Sequence, residues 1–141
     1  MGCEHLSDRE LLEAFEKGTL AKEKFHHADH VRVAWIYLGR FGADAEQRFL
    51  SGIQRLAAQF GVPEKFHYTI TVAWMRLVAA RCSDSDFTQR SYFQWITNHS
   101  ELLDQSLLTR YYSPDLLKTS AAKYGWLKPN LQDLPEAGSA P

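Results

Sequence analysis

An all-α fold, a single-domain bundle of five to six antiparallel helices, is predicted by three features of this sequence. Apolar residues recur at helical spacing through most of the chain, and glycines punctuate the runs at Gly18, Gly42 and Gly61. No stretch alternates apolar with polar residues as a half-buried strand does. Length agrees, since 141 residues suffice for one core and are few for two. The bundle is expected over residues 7–125, between a tail at 1–6 and an extended tail at 126–141.

Ser7-Asp8-Arg9-Glu10 has the form of a capping box, in which the Ser hydroxyl and the Glu carboxylate each take a backbone N–H of the helix start. Leu11, Leu12 and Phe15 follow at helical spacing, so a first helix is expected from Asp8 to Lys17. A second should span His27 to Phe41 and end at Gly42. Its apolar residues wrap most of the circumference, which places it centrally. The helical wheel turns His27, Val31 and Ala34 inward, sets His30 on the flank, and leaves Asp29, Arg32 and Arg40 on a solvated side. A third helix, from Asp44 to Phe60, carries Phe49, Ile53 and Leu56 on its inner stripe.

Pro63 suits the first turn of a fourth helix reaching Cys82, with His67, Thr71, Trp74 and Val78 inward and Thr69 and Arg76 outward. Ser83 to Asp86 opens a fifth, through Phe87, Tyr92, Phe93, Trp95 and Ile96. Asn98-His99-Ser100-Glu101 resembles another capping box, leading a sixth through Leu102, Leu107 and Leu108. Ser113-Pro114-Asp115 starts a short last helix that ends near Gly125.

Charge narrows the function. Sixteen basic against 17 acidic residues give a formal net charge of −1, so no excess field draws the chain to a phosphate backbone, and nucleic acid is excluded as a partner. No apolar run approaches the ~20 residues that span a bilayer, so no membrane association is expected. Cys3 and Cys82 have neither metal nor redox spacing, and the first residues lack a basic region followed by an apolar core. A reducing, cytoplasmic setting fits, with Cys3 in a frayed start.

Chemistry concentrates between Phe25 and Leu38, where His26, His27 and His30 run into the most apolar helical segment. Glu23-Lys24-Phe25-His26 returns letter for letter as Glu64-Lys65-Phe66-His67, and each copy runs on to a Val-Ala-Trp, at Val33-Ala34-Trp35 and Val72-Ala73-Trp74. In an up-and-down bundle the starts of even helices share a pole with the ends of odd ones. His26, His27, His30, His67 and His99 are therefore expected at one pole, with Glu16, Glu23 and Glu64.

Imidazoles at i and i+3 on one helix, joined by a third from a facing helix, can hold a divalent ion with one position open. His27 and His30 are the expected pair and His67 the third ligand, with Glu64 or Glu23 as a further ligand or the general base. Tyr37 and Thr71 would orient a small, partly apolar molecule, and Trp35, Tyr68 and Trp74 would wall its pocket. Zn, Fe, Mn and Cu are not separated by these residues. The paired Glu-x-x-His spacings, Glu23/His26 and Glu64/His67, are those of di-iron carboxylate bundles, but the third helix ends on Gln59 where a carboxylate is needed.

A metal-free acid/base pair, His67 with Glu64 or His30 with Asp29, is the other catalytic reading. The competitor to all of these is a non-catalytic helical module that binds a ligand or another protein, its histidines structural. Tyr92-Phe93-Gln94-Trp95 is most simply core, with the face of a homodimer as its alternative.

The pattern Phe-His-His-x-Asp-His-x-x-x-Ala-Trp-x-Tyr-Leu at 25–38 and His67-x-Thr69-Ile70-Thr71-x-x-Trp74 resemble a set of small uncharacterised bacterial all-helical proteins. The resemblance covers the middle half of the chain. It implies that the two stretches belong together, and it carries over no activity and no catalytic residue.

Overall fold

The computed structural model describes residues 2–137, and among these it is all-helical, with eight α-helices, five 3₁₀ turns and no strand. Two compact units divide the chain, Met1–Phe66 and His67–Pro141. The boundary cuts the second Glu-Lys-Phe-His tetrapeptide before its histidine. No helix is long and apolar enough to cross a membrane among the described residues.

The first unit holds α1 (Asp8–Lys17), α2 (His27–Phe41) and α3 (Ala45–Gln59), with 3₁₀ turns at Lys22–Lys24, Gly42–Asp44 and Pro63–Lys65. The capping box forms as expected: the Ser7 hydroxyl accepts from Glu10 N–H at 3.1 Å and the Glu10 carboxylate accepts from Ser7 N–H at 2.8 Å. Gly18 ends α1 in the left-handed region at φ 74°, which costs a residue without Cβ little. Every residue from Val31 to Tyr37 is buried, so this middle stretch of α2 is enclosed on all sides, as its apolar circumference predicts.

Gly52 marks the closest approach in this unit. A Cβ there would lie 2.6 Å from the Phe15 ring, so α1 and α3 pack at a spacing that only glycine permits. Gly52→Ala is expected to cost about 1–3 kcal/mol of stability by overpacking, read from a denaturant melt.

One expectation about α2 is corrected. Asp29 and Arg32, assigned to a solvated side, are each only 3% exposed. They hold down the segment that precedes α1. Asp29 Oδ1 accepts from Cys3 N–H at 3.1 Å and Oδ2 from His26 N–H at 2.9 Å. Arg32 donates to the Cys3 carbonyl at 3.1 Å, to the Leu6 carbonyl at 2.7 Å, and through Nε and Nη2 to Asp8 Oδ1 at 3.0 and 2.8 Å. Cys3 is 2% exposed, so the frayed start expected around it is instead a pinned segment from Cys3 to Leu6. A helical wheel ranks residues by polarity and has no means of seeing that a polar face is consumed by backbone 26 to 29 residues away. Arg40, by contrast, is exposed as expected.

In the second unit α4 (Tyr68–Ala80) begins later than expected, because Pro63–Lys65 forms a separate 3₁₀ turn and Phe66 is extended. The expected fifth helix is two, α5 (Asp84–Gln89) and α6 (Tyr92–Thr97), since Ser91 is extended and builds its own capping box with Gln94. The box expected at Asn98–Glu101 does not form: Asn98 closes α6 and Glu101 pairs with Arg81 at 2.6 Å. Two 3₁₀ turns, Ser100–Leu103 and Gln105–Arg110, stand in place of the sixth helix. The short last helix is likewise divided, into α7 (Pro114–Leu117) and α8 (Ser120–Tyr124).

Beyond α8 the chain is extended and held in place. Thr69, expected outward, is fully buried; its Oγ1 donates to the Gly125 carbonyl at 2.6 Å and accepts from Leu127 N–H at 3.1 Å. The Tyr112 hydroxyl donates to the Leu127 carbonyl at 2.7 Å, and Leu131 N–H to the Tyr111 carbonyl at 3.0 Å. Burial pushes the Tyr112 phenol up to about 12, so it remains a donor at any ordinary pH. The end of the expected tail, residues 138–141, lies outside the described residues.

Candidate histidine site

The repeated tetrapeptide is a repeated helix start. In each copy Glu and Lys belong to a 3₁₀ turn, the Phe backbone is extended, and the His is the N-cap of a long helix, α2 at His26 and α4 at His67. His26 Nε2–H donates to the Glu23 carbonyl at 3.0 Å, and its backbone N–H is taken by Asp29. His67 caps with its ring: Nδ1 accepts from Ile70 N–H at 3.1 Å. An accepting Nδ1 leaves the proton on Nε2, which donates to the Leu117 carbonyl at 2.7 Å. Both nitrogens of His67 are thus engaged within the second unit. Thr71 continues the start, its hydroxyl donating to the His67 carbonyl at 2.7 Å.

His27 and His30 belong to the first unit and share the first turn of α2, both partly buried. The His30 ring packs on Phe25 with centroids 4.6 Å apart, and Phe25 leads to Phe15 at 6.2 Å and Phe60 at 6.4 Å. Burial lowers the His30 pKa to about 4, with the neighbouring His27 as the lesser cause. It is neutral at pH 7. Phe25 is therefore the partner that sequence reasoning overlooked, although it stands five residues before His30.

Of the other expected site residues, Glu64 is exposed in the 3₁₀ turn that precedes the unit boundary. Trp35 is buried. Tyr37 is 1% exposed, and its hydroxyl donates to Glu16 Oε2 at 2.9 Å. Burial and Glu16 hold its phenol well above the ordinary tyrosine value. The ring meets Phe15 and Phe49 edge-on at 5.7 and 6.0 Å, which makes Tyr37 part of an aromatic core. Tyr68, Thr71 and Trp74 are partly buried along α4 in the second unit. His99, also in the second unit, has a buried Nδ1 without a hydrogen-bond partner and packs on Trp95 at 5.0 Å.

His67 has no lone pair to offer while it caps α4, and among the described residues no group of three or more His, Cys, Asp or Glu is placed to hold a metal. The arrangement instead fixes helix starts and closes polar seams. The residues that do so, Asp29, Arg32 and Thr69, escaped the sequence reading. Asp29 alone had a signal, an acidic side chain in the first turn of a helix, where it complements unpaired N–H groups.

No protein family, curated protein or solved structure matches the chain in comparison.

Proposed function

We propose that this chain is a non-catalytic helical binding module whose histidines are structural. The observation that supports this most directly is His67, whose ring takes the Ile70 N–H on one nitrogen and gives its proton to Leu117 with the other. A cytoplasmic setting and a small ligand or protein partner belong to the same proposal. Nucleic acid does not, given the balance of 16 basic and 17 acidic residues.

The competing reading, a metal-dependent enzyme with His27, His30 and His67 as ligands and Glu64 as base, requires His67 to leave both of its partners. One experiment separates the two. Asparagine is a good N-cap, so His67→Asn should keep more of the stability of α4 than His67→Ala, which forfeits about 1 kcal/mol of capping. Protein purified without a histidine tag should gain no thermal stability from Zn, Fe, Mn or Cu. Stoichiometric metal in the wild type, lost equally in the Asn and Ala variants, would overturn the structural reading.

A further inference from the structure

The segment Gly125–Leu131 is bound to its unit as an extended peptide ligand is bound. It follows α8 without helix or strand, and its backbone is read by side chains. The Gly125 carbonyl takes the Thr69 hydroxyl at 2.6 Å, Leu127 N–H gives to Thr69 Oγ1 at 3.1 Å, and the Leu127 carbonyl takes the Tyr112 hydroxyl at 2.7 Å. Between them Trp126 is the anchor: the Arg76 guanidinium lies 4.4 Å over its ring and Tyr112 meets it edge-on at 6.4 Å. Farther along, Asn130 takes Ser113 N–H at 2.9 Å and Leu131 N–H gives to the Tyr111 carbonyl.

Main-chain hydrogen bonds supply affinity in such an arrangement and an aromatic anchor supplies specificity. The receptor side is rigid, because Thr69 and Tyr112 are both fully buried and Thr69 is fixed in the first turn of α4. The ligand side has no helix of its own and is held by these hydrogen bonds and the Trp126 ring.

The geometry points to a recognition groove on α4 and Tyr111–Ser113 for an extended segment bearing a Trp followed by an aliphatic residue, with Gly125–Leu131 as its occupant in cis. The proposal rests on reading the chain as a binding module and names the partner class of that module, an extended Trp-containing peptide. A partner in trans must displace the cis segment, so its apparent affinity is reduced by the fraction of molecules in which the groove is open.

The test uses the full chain and a labelled peptide of sequence Gly-Trp-Leu-Lys-Pro-Asn-Leu, copied from 125–131. Trp126→Ala loosens the cis occupant, so this variant should bind the peptide at least tenfold more tightly than the wild type. Adding Thr69→Val should abolish that gain, and a peptide with Ala for Trp should not bind. A folded Trp126→Ala chain that binds neither peptide, or both alike, overturns the groove.

Native-state hydrogen exchange of the wild type keeps the test decisive if that variant does not fold. The Leu127 and Leu131 amides should exchange at least tenfold faster than those of Val72 to Val78, through an opening that leaves α4 intact. Exchange of all of them only by global unfolding overturns the proposal. Metal content is measured separately, so a failed groove and a failed structural reading of the histidines remain distinguishable.

Discussion

Acidification from pH 7 to pH 4 is expected to remove about 3 kcal/mol of stability through His30 alone, from its separation between 6.5 and about 4 at ~1.36 kcal/mol per pH unit. The sign follows from linkage. The folded protein holds His30 below its unfolded value, so between those two pH values the unfolded chain binds more protons. Stability is therefore complete above about pH 6.5 and falls as the pH drops toward 4, below which no more is lost through this group. The physical origin is the partly buried ring against Phe25, beside His27, where a positive charge loses solvation and meets a second imidazole. The measurement is unfolding free energy by urea at half-unit pH steps for the wild type and His30→Phe, which keeps the ring packing and removes the titration. The difference between the curves should rise through this window. Parallel curves would mean that His30 titrates as freely in the folded state as in the unfolded one.

Arg32→Met is expected to cost at least as much, about 3–5 kcal/mol, because it removes one member of a buried charged network and strands the others. The Cys3 and Leu6 carbonyls and the Asp8 carboxylate lose their donor. Arg40→Met is the control on the same helix. Exposed and in the last turn, Arg40 should tolerate the change within roughly 0.5 kcal/mol. Urea melts report the difference, and hydrogen exchange locates it: the Cys3 amide, which donates to Asp29, should lose protection first. Equal costs for the two substitutions would return Arg32 to the solvated face on which the helical wheel places it.

That contrast shows what the sequence makes legible. Periodicity and punctuation gave α1, α2 and α3 nearly to the residue, because Ser7, Gly18 and Gly42 are local signals for local structure. The same signals misled after Ser83, where several capping residues in succession favour short helices over long ones. Ser91 and Asp104 each take up backbone N–H groups that a continuous helix would have used.

The site was legible as residues and not as roles. Two tetrapeptides identical in sequence suggested shared chemistry, and they share a way of beginning a helix. Asp29, Arg32 and Thr69 act on backbone 26 to 58 residues away, a distance at which no periodicity speaks.

The seam at Thr69 also sets an order of events. Its two partners, Gly125 and Leu127, lie 56 and 58 residues later in the chain. Loop closure over such a distance comes after local helix formation, since its entropy must be spent before the contact returns anything. On a ribosome, α4 is therefore made well before the chain that satisfies its buried hydroxyl, and it waits with Thr69 open to water. The segment pinned by Asp29 and Arg32 waits in the opposite sense, synthesised first and fixed only when α2 has followed it.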